Sequence, residues 1–218
     1  SCLSRYNYGR LLSQGDTAIS ELSAAVSIRP KWFDAYFALA EVYENSGDFE
    51  KALSFYQKAI DTDNTRAPAH FGAAKCLRAL KKDNEALTTL NQVITLLPNH
   101  AGAYLLLAEI YNDQNNVDKA IESLDRAREV ASGDVRVFVR SGEIYYHAGR
   151  HTNARAFLNQ ALTMNPKLSK AHALLGEIAC ERLQFEEGRK HFDSALSGDL
   201  EGVDKALLTK KKSSCKKK

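Results

Sequence analysis

His147 and His151 stand four residues apart, a spacing that on one helix would aim two imidazoles at a single ion. Gly149 lies between them and reads as a turn, which puts the two rings on different elements. Two ligands alone would also be too few to hold a metal. Cys2, Cys76, Cys180 and Cys215 are scattered with no CxxC pair, so they suggest neither a zinc site nor a stapled secreted scaffold. Reduced thiols in a reducing compartment are expected. Serine, histidine and acidic residues are plentiful, yet no GxSxG elbow, phosphate-cradling glycine loop, dinucleotide fingerprint or HExxH motif occurs. The expectation is a protein without catalytic residues, metal or cofactor, that is, not an enzyme.

Charge is the other chemistry on offer. Over 218 residues the formal net charge is +3, but residues 205–218 hold seven lysines and no acid, which leaves 23 basic against 27 acidic residues, a balance of −4, in the remainder. Lys210, Lys211, Lys212, Lys216, Lys217 and Lys218 could meet phosphate, anionic lipid or an acidic protein, or serve as a nuclear-import signal. The segment 210–218 offers nothing to bury, so a disordered tail is expected. No aromatic residue stands among these lysines to stack a base, which disfavours sequence-specific RNA binding. The longest apolar run, 103–108, is too short to cross a bilayer, and the amino end does not read as a signal peptide. A start at Ser1 rather than methionine leaves room for an upstream segment.

The elements that position these residues follow from a repeat. Hydrophobic residues make up 44% and charged residues 26%, with only four prolines and twelve glycines, which excludes disordered, collagen-like and disulfide-framework classes. Ala18, Ala52, Ala86, Ala120, Ala154 and Gly188 are spaced by 34 residues, as are Ala25, Ala59, Val93, Ala127, Ala161 and Ala195. Large residues keep the same register in the column Leu22, Tyr56, Leu90, Leu124, Leu158 and Phe192. Alternating small and large columns are what interlocking helices require. Within residues 33–66, Tyr36, Leu39, Ala40 and Tyr43 follow helical spacing up to Ser46-Gly47-Asp48, and Phe49, Ala52, Leu53, Tyr56, Ala59 and Ile60 follow it again. Each unit therefore predicts a helical hairpin. Pro30, Pro98 and Pro166, two periods apart, end helices.

At these residues the sequence resembles the tetratricopeptide repeat family, whose 34-residue units place small residues at the Ala40, Ala52 and Ala59 columns and often proline at the Pro30 column. The resemblance implies an all-α fold, a right-handed superhelical α-solenoid of about six hairpins. The repeats read as a short first unit over 1–32, then 33–66, 67–100, 101–134, 135–168 and 169–202, followed by a capping helix over 203–209 and the tail. In the first unit Asp16 lies only two residues ahead of Ala18, which predicts a tightened turn or a shifted first helix.

Asp34, Phe37, Glu41 and Glu44 form a stripe on the first helix apart from its core positions. Its central column reads Phe37, Phe71, Leu105, Val139 and Ala173, apolar where a solvated face would be polar, and an exposed apolar row usually meets a partner. The next column reads Glu41, Lys75, Glu109, Glu143 and Glu177. In the family this stripe lines a concave groove, so the resemblance implies an apolar floor beside an acidic edge. The bland alternative is that the row packs against neighbouring first helices. His70 and His172 occupy a helix-packing aromatic column and read as core histidines. The family's clamp for chaperone carboxylate tails is incomplete here, since Phe71 and Leu106 stand where lysine and asparagine are needed.

The expected function is a non-catalytic scaffold that binds a peptide or helix with apolar anchors and basic flanks, inside a larger complex, in the cytoplasm or nucleus. The alternative is an architectural arm of a larger enzyme or ribonucleoprotein whose lysine tail touches nucleic acid or an anionic surface.

Overall fold

The structure, a computed structural model, describes residues 1–12, 15–198 and 203–216. Among them are thirteen helices and no strand: α1 (Cys2–Leu12), α2 (Asp16–Ile28), α3 (Phe33–Asn45), α4 (Phe49–Thr62), α5 (Ala67–Ala79), α6 (Asp83–Leu96), α7 (Ala101–Asp113), α8 (Val117–Val130), α9 (Val135–His147), α10 (His151–Met164), α11 (Ser169–Glu181), α12 (Phe185–Ser197) and α13 (Lys205–Ser214). They form two compact units, residues 1–110 and 111–218, with the boundary inside α7.

The turns between paired helices share one backbone device. Gly47, Lys81, Asn115, Gly149 and Leu183, each 34 residues from the next, all take the left-handed conformation, with φ between 58° and 80°. The residue that follows then returns its N–H to a carbonyl of the helix just ended, as Asp48 does to Tyr43 and Gln184 to Ala179, at 3.0 and 2.8 Å. These carbonyls would otherwise lack partners. Asp48 and Asn116 also cap the helices they open, accepting from the N–H of Lys51 and Lys119.

In the first unit α1–α2, α3–α4 and α5–α6 are antiparallel pairs, with α5 also packed on α4. The small columns sit where helices cross: Ala18, Ala52, Ala86, Ala25, Ala59 and Val93 have no exposed surface. Tyr56 anchors a core with Phe33, Ala40, Ala69, Ala73 and Cys76. In the second unit Ala154, Leu158, Ala171, Leu175 and Ile178 form the core joining α10 and α11.

The carboxyl end departs from expectation. A cap over 203–209 followed by a disordered tail was expected, yet α13 runs on through Ser214. Its Leu208 and the following Cys215 are 3% and 4% exposed, in a cluster with Ala173, Phe192 and Ala195. Asp204 caps the helix, accepting from the N–H of Ala206 and Leu207. Lys211 pairs with Glu177, and Lys212 with Asp193. The lysine segment thus has an apolar residue to bury and carboxylates to meet. Lys217 and Lys218 lie outside the described residues.

The expectation of four reduced cysteines is corrected at the same place. Cys180 on α11 and Cys215 form a disulfide across 35 residues, with their Cα atoms 5.5 Å apart. Gly188 makes the room: a Cβ there would lie 2.4 Å from the sulfur of Cys180 and 2.8 Å from that of Cys215. The alanine that fills this column in the preceding repeats would collide with the bridge. Cys2 and Cys76 are free thiols.

Candidate functional site

The stripe on the first helices is built separately in each unit. In the first, Phe37 of α3 and Phe71 of α5 are both half-buried and line a recess of about 240 Å³ together with Glu41, Glu44 and Lys75. Phe37 stacks on Phe33 at 5.7 Å and meets the edge of Tyr56 at 5.6 Å between centroids. Phe71 leans on His100 at 4.4 Å, and the Lys75 ammonium sits 5.7 Å above its ring.

Gly72 brings the floor of the recess into place. The Tyr56 ring from α4 lies so close that a Cβ on Gly72 would fall 2.2 Å from Tyr56 Cζ. Packed there, Tyr56 donates its hydroxyl to Glu44 Oε2 at 2.6 Å, while Lys75 pairs with the other oxygen of Glu44. Burial, and after it the hydrogen bond to Glu44, pushes the Tyr56 phenol far above its ordinary range. The thiol of Cys76 behind it is pushed up to about 12, by burial first and the Glu44 charge second. Glu41 forms no ion pair among the described residues. Loss of water around its carboxyl raises its pKa, with Arg10 opposing and Glu44 reinforcing. Asp34 is taken by Arg66 at 2.8 Å, and that guanidinium lies over Phe33. Leu105, at 9% exposure, is buried, and Glu109 is half-exposed on the same helix, α7.

In the second unit Val139 is half-buried on α9. Glu143 is 9% exposed and held by Arg140 at 2.8 Å and by Lys170. Glu177 accepts from the Tyr146 hydroxyl at 3.2 Å and from the Lys211 ammonium at 2.6 Å. The same tyrosine donates to Glu181 at 2.8 Å, and burial, reinforced by these carboxylates, raises its pKa. His147 and His151 flank the Tyr146 ring at 5.4 and 5.6 Å. Among the described residues no group of three or more His, Cys, Asp or Glu is arranged to hold a metal, and no helix is long and apolar enough to cross a membrane.

The structure therefore joins Phe37, Glu41, Glu44, Phe71 and Lys75 in one recess, while Val139, Glu143 and Glu177 belong to the other unit. Sequence reasoning missed Tyr56, His100, Tyr146 and Lys211 as members of these networks. One signal was available for Tyr56: Gly72 is the glycine in a column that otherwise reads Ala38, Leu106, Arg140 and Leu174.

Helical hairpins repeated every 34 residues, with alanines at the crossings and a left-handed residue at each turn, define a helical-repeat protein. Its repeats are of the tetratricopeptide type: the family profile "Tetratricopeptide repeat" matches residues 73–135 and 105–169. The profile "Anaphase-promoting complex, cyclosome, subunit 3" matches residues 13–93. The chain is 26% identical over 200 residues to human protein O-mannosyl-transferase TMTC1, covering 87% of this chain but 22% of that protein. It is thus similar to about a fifth of a longer relative. Among solved structures it resembles the APC/C hetero-tetramer Cut9–Hcn1, with TM-score 0.76, 14% identity, and 92% and 39% of the two chains covered. It also resembles YrrB, described as a TPR protein with an unusual peptide-binding site, with TM-score 0.64, 19% identity, and 88% and 97% covered. At these identities the solved structures establish the fold alone.

Proposed function

We propose that the chain is a non-catalytic scaffold that binds a peptide or helix of a partner protein within a larger complex, through the first-helix face. The observation that carries this reading is the recess between Phe37 and Phe71, two half-buried rings on a face with a row of charges beside them. Large apolar side chains are left partly in water only at a cost, and burying one against a partner contributes roughly 1.5–3 kcal/mol. The likeness to the anaphase-promoting complex subunit 3 profile supports assembly within a complex, and YrrB, similar in fold, is described as having a peptide-binding site.

In the first unit the preferred ligand has apolar anchors for Phe37 and Phe71 and a basic flank for Glu41. Glu41 is the carboxylate best placed to meet such a flank, because Glu143 and Glu177 already hold lysines of this chain. The nucleic-acid reading of the tail loses support for the same reason, since Lys211 and Lys212 are engaged with Glu177 and Asp193. Localisation in the cytoplasm or nucleus accords with the anaphase-promoting-complex likeness, whereas the Cys180–Cys215 bridge favours an oxidising compartment. Peptide mapping of protein alkylated before lysis decides between them.

The test of the groove is affinity capture quantified by mass spectrometry, comparing the wild-type chain with Phe37→Ala/Phe71→Ala and with Glu41→Lys. The first variant should lose its partners while keeping its circular dichroism spectrum. The second should weaken capture and flatten its salt dependence. If both fold and retain every partner, binding lies elsewhere on the chain.

A further inference from the structure

Three phenylalanines of α3 and α5 differ in what covers them. Over Phe33 lies the Arg66 guanidinium, 3.7 Å from the ring centre, held by Asp34 at 2.8 Å. Over Phe71 lies the Lys75 ammonium, at 5.7 Å, held by Glu44. In both places a ring and a carboxylate together fix one cation of this chain. The third place has the same two parts, since Glu41 follows Phe37 by one helical turn on α3 and both line the recess. Among the described residues no cation lies over Phe37, and Glu41 forms no ion pair.

The charge balance of the recess says what the occupant carries. Its lining holds two carboxylates, Glu41 and Glu44, and one ammonium, Lys75, which leaves one negative charge. His100 adds none at neutral pH, because burial holds its pKa below the ordinary histidine range. Lys75 is engaged by Glu44, whose other oxygen accepts from the Tyr56 hydroxyl. Arg10 of α1 lowers the Glu41 pKa through its charge, but it forms no ion pair with Glu41 and does not line the recess. Glu41 is open to a ligand, while its carboxyl has lost part of its water, a loss that a bound cation offsets.

We infer that the Phe37–Glu41 place takes an arginine side chain of the partner's peptide, with the guanidinium against the Phe37 ring and its N–H groups donating to the Glu41 carboxylate. The inference rests on the groove reading and names its basic flank: anchor and flank are one side chain, whose methylene stem lies against Phe71 while its charge neutralises the recess. Arginine is preferred to lysine on physical grounds. A guanidinium is planar and weakly hydrated, so it stacks on a ring and donates two N–H groups to one carboxylate at once, whereas an ammonium is a strongly hydrated point charge.

N-acetyl-argininamide, N-acetyl-lysinamide and N-acetyl-citrullinamide, the last close to arginine in shape but uncharged, are titrated into the isotope-labelled chain and followed by NMR. The arginine amide should shift the signals of Phe37, Glu41 and Phe71 together. Its affinity should be about three- to tenfold tighter than that of the citrulline amide and about twofold or more tighter than that of the lysine amide. Glu41→Gln should reduce the preference over citrulline to less than about twofold, and Phe37→Leu should bring arginine and lysine level. If Phe37→Leu does not fold, Glu41→Gln at its exposed position still makes the comparison. Arg10→Ala should tighten arginine binding by no more than about twofold; a larger gain would show Arg10 to be the resident partner of Glu41 and overturn the inference. No shift at these residues, equal affinity for arginine and citrulline amides, or a preference that survives Glu41→Gln would also overturn it. Equal affinities together with loss of the partner in Phe37→Ala/Phe71→Ala would sink this inference and leave the groove reading standing. Arginine preference together with full capture by that double variant would do the reverse.

Discussion

Adding a single methyl group at Gly72 tests the packing that shapes the recess. The new Cβ would lie 2.2, 2.4 and 2.7 Å from Cζ, Cε1 and Cε2 of Tyr56, whereas carbon atoms settle at roughly 3.5–4.0 Å. The ring must retreat by more than about 1 Å, and it has little room, since Tyr56 is 2% exposed and meets Phe37 edge-on. Overpacking of this kind costs about 1–3 kcal/mol. The same movement draws the hydroxyl away from Glu44, a hydrogen bond to a charged group worth about 1.5–3 kcal/mol. One displacement causes both losses, so they overlap, and the gain in helix propensity of up to about 1 kcal/mol opposes them. Gly72→Ala should therefore destabilise by about 1–3 kcal/mol in urea unfolding followed by circular dichroism. Gly133→Ala is the control: nothing lies within 4 Å of its added Cβ, so its effect should stay within about 0.5 kcal/mol. Combining Gly72→Ala with Tyr56→Leu should recover most of the clash energy in a double-mutant cycle. Equal losses in the two glycine variants, or no coupling to Tyr56, would refute the assignment.

Leu183 occupies the left-handed turn position that Gly47 and Gly149 fill elsewhere, with φ 63° and the residue 73% exposed. A non-glycine residue there costs about 1–2 kcal/mol, so Leu183→Gly should raise the melting temperature by the equivalent of about 0.5–1 kcal/mol once the added freedom of the unfolded chain is deducted. Cys215→Ser opens a loop of 35 residues and should cost about 2–4 kcal/mol, read as faster hydrogen exchange in α13 than in α9; protection equal to the wild type's would show that the bridge adds nothing. Glu41 has a pKa raised above 4.5 by desolvation, so between the unfolded and folded values the folded chain binds more protons and stability falls as pH rises. Glu41→Gln should remove that decline from the stability profile just above the ordinary carboxylate range, and an unchanged profile would show that the carboxyl is fully hydrated.

The repeat made the helices readable because its signals are local and reiterated: a small residue at each crossing, such as Ala52 or Ala154, and a glycine at turns such as Gly47. The turns at Lys81, Asn115 and Leu183 could be placed only by register, since nothing in those residue types favours a left-handed backbone except weakly in asparagine. The apolar row was legible as a column, but its exposure was not. Leu105 and Ala173 are buried while Phe37, Phe71 and Val139 stay half-open, because burial depends on which neighbours are large. The bridge at Cys180 escaped because the residue that permits it, Gly188, looked like one more small residue in an alanine column. What distinguished it was the absence of a single Cβ.

The acidic column shows how charge counting at the level of sequence misjudges a face. By residue type its glutamates outnumber its single lysine, yet Glu44 holds Lys75, Glu143 holds Lys170 and Arg140, and Glu177 holds Lys211 from a helix that the column itself does not contain. A ligand arginine arriving at Glu177 exchanges one ion pair for another, and an exposed pair is worth only about 0–1 kcal/mol before the exchange is counted. Net attraction between the acidic edge and a basic flank is therefore small at these positions, and it is concentrated at Glu41, whose carboxyl is partly desolvated and has no ion-pair partner among the described residues. Affinity must come from apolar burial at Phe37 and Phe71. The charges then act mainly against wrong ligands, since an acidic flank placed beside Glu41 would meet a like charge, with Lys75 already held by Glu44 and Arg10 the other cation acting on Glu41.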